Sequence, residues 1–359
     1  MRYLLFGILI LIIATSCNNK KENIRVMIDE VGFATDSTQM DSVVARIDRD
    51  FEIQLKNIEG FYDSSISWKA AISPHDDYAY ASYLYPAVFK NVKADVLFLI
   101  GVFHKARHFD TYDAIVMGNH TAWAGPYGNT RVSEYNQKLI KKLPDSVVVV
   151  KDTMMQVEHS LEALLPFIQY YNPDAEIVPM IIPYANLNNM KTFSRQLAEV
   201  IAEFAEDNEW TWGEDFAIVI SNDAVHYGDE DWGGDDYAPY GTDASGYRMA
   251  VEHERRIIDS CLLEKLAEDK IIRFVDYTVE KDDYKQYKWT WCGRYSIPFG
   301  LYTCWHLQQL LGEPDLNGNF IEYATSIDHP ILEVEDLGMG VTAPANDHHW
   351  VGYTGIGYR

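Results

Sequence analysis

The sequence predicts a single α/β domain with a mostly parallel or mixed central sheet and helices on both faces. Two observations carry this. Apolar, β-branched runs alternate with stretches of helical period from Ser42 to Tyr358. Those runs are apolar at nearly every residue, as strands are when both faces of a sheet are covered. In addition, no Pro/Gly/Ser linker, low-complexity tract or internal repeat divides the chain.

In order, helical period predicts a first helix over Ser42–Glu59. Strands follow at Trp68–Ile72, Ala94–Ile100, Ala114–Gly118 and Val147–Val150, each a short β-branched or apolar run. A helix is expected over Glu158–Tyr171, with Glu158 favoured by the helix dipole and Ser160 available as a cap. Then come strand Ile177–Ile182, helix Met190–Glu206, strand Phe216–Ile220 and helix Ser245–Asp269. The order closes with strand Ile272–Val275, helix Arg294–Leu311, and strands Phe320–Thr325 and Val351–Tyr358.

The first sixteen residues read as a lipoprotein signal peptide. Arg2 supplies the positive charge and Tyr3 to Ala14 (YLLFGILILIIA) is too short to span a bilayer comfortably. Ala14-Thr15-Ser16 then leads directly into Cys17, the residue a lipobox would acylate. This divides the chain into a signal (1–16), a tether (17–24, beginning Cys17-Asn18-Asn19-Lys20-Lys21) and a domain (25–359). The expected location is lipid-anchored and exported, on the outer membrane of a diderm bacterium and facing the periplasm or the cell surface.

The formal charge is −24, and removing Arg2 with the signal makes it −25. Such a surface repels nucleic acid and anionic headgroups, so no nucleic-acid partner is expected and membrane contact falls to the acyl chains on Cys17. Beyond Cys17, the cysteines are Cys261, Cys292 and Cys304. An odd number in an oxidising compartment reads as unpaired thiols, with a Cys261–Cys304 pair as the alternative. Either way Cys292 needs a chemical reason.

Five scattered segments carry candidate chemistry: PHDDY (Pro74–Tyr78), GVFH (Gly101–His104), EHSLE (Glu158–Glu162), SNDAVHYG (Ser221–Gly228) and CGR (Cys292–Arg294). His75, His104, Asp223 and His226 all follow predicted strands, where ligands collect in open α/β sheets. Two imidazoles and a thiolate, His75, His104 and Cys292, suit one mononuclear metal ion with open positions, iron first and copper or zinc next. Asp223 and His226, three apart, form a carboxylate–imidazole pair suited to general acid–base work. Taken singly, each has an ordinary reading: a loop or strand-end His, a buried inert thiol, an Asx-type turn. Capping explains Glu158 but leaves His159 for orientation or substrate contact. The acidic, aromatic tract Asp229–Tyr240 (DEDWGGDDYAPY) reads as an exposed loop, or as a lid over the pocket.

In order and spacing, SPHDDYAY, LFLIGVFH, EHSLEALLPF, IVPMIIP, VISNDAVHYG, CGRYSIPFG and GYTGIGY resemble the Memo family, also called AmmeMemoRadiSam system protein B. That family is similar to class III extradiol dioxygenases. The resemblance covers roughly residues 67–358 and implies metal-binding roles for His75, His104 and Cys292, with Asp223 and His226 in the pocket. A thiol where the dioxygenases use a carboxylate weakens inheritance of ring cleavage. The chain also departs from the family: PHDDY stands for PHAGY, and GVFHK for GPSHH, with Lys105 where a second His is usual. The expectation is a dioxygenase-like redox enzyme in which Glu158, His159, Asp223 and His226 assist the metal. The alternatives are a module that binds a small molecule or peptide without turnover, and a Cys–His hydrolase.

Overall fold

The computed structural model describes residues 22–359. The expected signal peptide (1–16) and Cys17 lie outside them. Among the described residues, no helix is long and apolar enough to cross a membrane.

The strands are β1 (Ile24–Arg25), β2 (Ala70–Ser73), β3 (Val96–Val102), β4 (Ile115–Met117), β5 (Ala122–Gly125), β6 (Gly128–Arg131) and β7 (Val148–Val150), followed by β8 (Glu176–Ile182), β9 (Phe216–Ser221), β10 (His226–Gly228), β11 (Glu264–Lys265), β12 (Asn317–Thr325) and β13 (His349–Tyr358). The main sheet runs β11-β12-β13-β2-β9-β3-β8-β4-β7, with β10 paired to β13. Its centre is parallel (β2, β9, β3, β8), and the flanking β13 and β4 join antiparallel. The sheet is therefore mixed, flanked by helices on both faces, as expected.

Side chains alternate across that centre. Val96, Phe98 and Ile100 of β3 enter one core while Leu97 and Leu99 enter the other, and Phe216, Ile218 and Ile220 of β9 oppose Ala217 and Val219. Each such Leu, Ile or Phe, fully buried, is worth about 1.5–3 kcal/mol. This explains why β3 and β9 read as unbroken apolar runs. The first core lies under the helices Leu187–Asp207 and Ser296–Leu310, and the second under Ser37–Asp50 and Leu84–Phe89.

Several expected boundaries move. Ile272–Val275 is not a strand but lies within the helix Glu268–Thr278. Its buried residues Ile271, Phe274, Val275 and Thr278 fall at i, i+3, i+4 and i+7, so a helical apolar face outweighs β-branched propensity. The helix expected over Ser245–Asp269 is Ala244–Ile257 with a wide turn through Leu262, then β11, where Glu264 takes φ +59°. The first helix starts at Ser37 under an Asp36 cap and breaks at Phe51 into Ser37–Asp50 and Glu52–Asn57. The helix expected from Glu158 begins only at Leu165. The hairpin β5–β6 and the helix Glu134–Lys142 were not expected.

At the amino end of the described residues, β1 pairs in parallel with β5, and the Asn23 backbone N–H donates to Thr121 Oγ1 at 3.2 Å. The three described cysteines are free, buried thiols.

Candidate metal centre

The ends of β2, β3 and β9 place the candidate side chains together. His75, His104 and Cys292 each offer a donor atom, all within 4.8 Å of one another, and Cys292 with Asp223 and His226 forms a second such group. The His75 and His104 ring centroids are 5.2 Å apart. The Cys292 sulfur lies 3.5 Å from His75 Nε2, accepts from the Asp223 backbone N–H at 3.1 Å and approaches the Asp223 carbonyl at 3.3 Å. Gly293 makes this possible. Its N–H donates to Asn222 Oδ1 at 3.0 Å, and a Cβ at Gly293 would collide with that same side chain.

Hydrogen bonds fix both imidazoles. The Ser221 hydroxyl donates to the Ser160 carbonyl at 2.6 Å, which leaves its oxygen to accept from His75 Nδ1–H, also at 2.6 Å. His104 Nδ1–H donates to Glu158 Oε1 at 2.8 Å, and the His104 backbone N–H donates to Glu158 Oε2 at 2.7 Å. In each ring Nδ1 is taken by its partner, which leaves Nε2 as the nitrogen available to a metal. Burial, then the neighbouring imidazoles of His104, His159 and His226, hold His75 well below its ordinary pKa, so it is neutral.

Contrary to expectation, Glu158 does not open a helix. It caps no helix. Its oxygens also accept from the backbone N–H of His159 and of Ser160, both at 2.9 Å, so every contact orients the segment around His104. Burial opposes its charge, yet the His104 imidazole and hydrogen bond hold it down at about 2. His159 stacks on His104 with centroids 4.8 Å apart and planes 2° from parallel. Burial keeps it neutral at about 4. Glu158→Gln, which loses one acceptor at His104, is expected to weaken metal affinity roughly 10–100-fold, measured by competition with a chromogenic chelator.

Asp223 Oδ1 accepts from the His75 backbone N–H at 2.9 Å, and its Oδ2 lies 3.4 Å from His75 Nε2. Burial pushes its carboxyl up to about 7. His226 is neutral, held at about 3 by burial, and its Nε2 is buried without a partner. Over it lies Trp232 of the acidic, aromatic tract, 5.2 Å away by ring centroid, which in turn stacks on His349 at 3.8 Å. That tract therefore contributes a ring to the site.

Sequence reasoning missed Ser221, His349 and Trp232. Ser221 ends a strand and had no spacing signal. It also overlooked what the two aspartates of PHDDY do. Asp76 Oδ2 accepts from the Tyr353 hydroxyl at 2.6 Å, and Asp77 Oδ2 from the Thr342 backbone N–H at 2.5 Å. Both carboxyls are raised, by burial first and then by acidic neighbours. They brace the His75 turn against the β13 end of the sheet.

Glu254, fully buried, bridges the two segments on either side of the sulfur. It accepts from Trp289 Nε1 at 2.6 Å, Trp291 Nε1 at 2.5 Å and the Val225 N–H at 3.1 Å. Burial raises it to about 7 against those donors. A raised folded pKa gives a contribution that is full below the ordinary value of 4.5 and is lost as pH rises through 7. Urea midpoints of wild type minus Glu254→Gln should thus decline across that window. A flat difference contradicts the assignment.

Two imidazole lone pairs fixed by outer partners and one thiol, converging on one point, suit a single thiophilic transition metal. Glu158 is engaged by donors on both oxygens, which makes it an outer partner.

A family model for Memo-like proteins matches residues 41–336. A MEMO1 family protein of Pyrobaculum aerophilum is 27% identical over 162 residues, 44% of this chain and 52% of the relative. One from Aquifex aeolicus is 30% identical over 165 residues (44% and 54%), and one from Pyrococcus abyssi 28% over 214 residues (58% and 70%). The chain spans about half the length of the first of these relatives. With the match extending over most of the domain and across the segments that build the centre, the chain belongs to the Memo-like family.

Proposed function

We propose that this chain is a lipid-anchored Memo-like protein in which His75, His104 and Cys292 hold one redox-active metal ion, iron first and copper next, and which acts on a small molecule. The observation that carries this is the donor set: His75, His104 and Cys292 bring ligand atoms within 4.8 Å of one another, while Ser221 and Glu158 engage both Nδ1 atoms and leave each Nε2 for a metal. When bound, such a metal supplies Lewis acidity and redox chemistry for activating oxygen or a substrate oxygen. The chain supplies the rest. His226, neutral and with Nε2 unpartnered, takes a proton from a bound substrate, and Asp223 orients the His75 turn. Trp232 packs against His226 and is itself stacked on His349.

Metal analysis of protein purified without chelators tests this. Near-stoichiometric iron or copper is expected. Metal-free protein with no affinity for Fe(II), Cu(I) or Zn(II) would sink it.

The hydrolase reading has less support. The imidazole in contact with the Cys292 sulfur is His75, at 3.5 Å, and its Nδ1 is already held by Ser221. A binding module that uses the same pocket without turnover remains the second reading, since the residues that orient the metal would serve ligand capture equally. Ligand binding that persists in His226→Ala, with no oxygen consumption, would favour it.

The anchor is tested separately. Cys17→Ser is expected to move the protein from the detergent-soluble membrane fraction to precursor or soluble forms. Soluble wild type that retains residues before Cys17 contradicts the lipobox.

A further inference from the structure

Arg294, the third residue of the CGR segment, has no role in the scheme above, yet it is the unusual charge of the site. Its side chain is buried, with 3% of the residue exposed. The guanidinium lies over the Tyr287 ring, 3.3 Å from the centroid, with Tyr295 at 4.7 Å and Tyr184 at 5.8 Å. One Nη donates to the Lys285 carbonyl at 3.1 Å, while Nε is buried with no partner. Arg294 forms no ion pair among the described residues, whereas the other fully buried arginine, Arg25, has Glu162 at 2.5 Å. Burying a cation without a counter-ion is costly, and π faces offset only part of that cost. Such a group retained beside a reaction centre calls for an anion that arrives with the ligand.

The surroundings indicate what kind of ligand. Tyr287 meets Tyr237 at 6.0 Å, Tyr237 meets Trp232 at 6.0 Å, and Trp232 meets His226 at 5.2 Å. One run of rings therefore joins the Arg294 guanidinium, whose Nε has no partner, to His226, whose Nε2 has none, both beside Cys292. A planar guanidinium fork matches a carboxylate. A single cation without a counter-ion also balances a single negative charge.

We propose that Arg294 anchors the carboxylate of a small, ring-bearing acid, placing the rest of the molecule along the Tyr287–Tyr237–Trp232 wall toward His226. This deepens the reading of a small-molecule metal enzyme and rests on it for the reacting end, but the acid contact itself needs no metal.

The test is calorimetric titration of the full chain, metal-loaded and metal-stripped, with benzoate, with benzamide as its neutral counterpart, and with inorganic phosphate. Benzoate is expected to bind at least about tenfold more tightly than benzamide, and Arg294→Gln to lose at least about tenfold in benzoate affinity with metal content unchanged. Arg294→Lys, which keeps the charge without the fork, is expected to fall between them. Equal binding of benzoate and benzamide, or full benzoate affinity in Arg294→Gln, overturns the proposal, and phosphate binding more tightly than benzoate overturns the carboxylate assignment. Should both variants fail to fold, the wild-type comparison of the three probes decides alone. Metal-loaded protein that ignores benzoate removes the acid site and leaves the metal reading. Protein that takes no metal yet binds benzoate through Arg294 does the reverse.

Discussion

Glu162→Ala is expected to lower the free energy of unfolding by about 3–5 kcal/mol, a loss characteristic of a buried ion pair broken from one side. Arg25 and Glu162 have fully buried side chains and meet at 2.5 Å. Glu162 Oε1 also accepts from the backbone N–H of Ile28 and of Asp29, both at 2.8 Å. Arg25 donates through Nε to the Met155 carbonyl at 3.0 Å and through Nη2 to the Glu158 carbonyl, and it lies 4.4 Å from the Trp123 ring centroid. Removing Glu162 strands a buried guanidinium and frees two backbone donors. Urea unfolding measures the cost, and a loss under about 1 kcal/mol would place the pair among weak surface bridges. Because Arg25 also holds the Glu158 carbonyl, the same variant should loosen His104 and reduce metal retention.

His75→Ala and Cys292→Ser are each expected to take metal content from near one per chain to background, while His226→Ala keeps it. The affinity loss should exceed the roughly 10–100-fold that outer partners cost, because a donor atom itself is removed. The His226 control matters because its ring is also near the sulfur. Elemental analysis of the three variants side by side separates ligand from neighbour. Equal metal in Cys292→Ser and wild type would remove the thiol from the centre.

The sheet was legible because its central strands are buried on both faces. β3, β8 and β9 read as apolar runs for that reason, and sequence placed their ends within a few residues. What was not legible depended on partners distant in sequence. Ile272–Val275 has strand composition, and only the docking of Ile271, Phe274 and Val275 as one face makes it helical. Glu158 looked like a helix-start residue because the pull of His104, fifty-four positions away, is invisible in local spacing. The histidines and Cys292 were found because they end apolar runs. Ser221, His349 and Trp232 were not, since a serine at a strand end, a histidine in a carboxy-terminal strand and a tryptophan in an acidic loop carry no local mark of what they will face. The acids of PHDDY were visible but not their bonds to Tyr353 and Thr342, which come from the far end of the chain.

The central claim, one metal held by two imidazoles and the Cys292 thiolate, is tested most directly by cobalt substitution. Co(II) loaded into the metal-stripped chain should give one intense near-ultraviolet thiolate-to-cobalt absorption per protein, saturating at one equivalent. That band should vanish in Cys292→Ser and persist in His226→Ala. Cobalt that binds stoichiometrically without any thiolate band, or a band that survives in Cys292→Ser, would contradict the account.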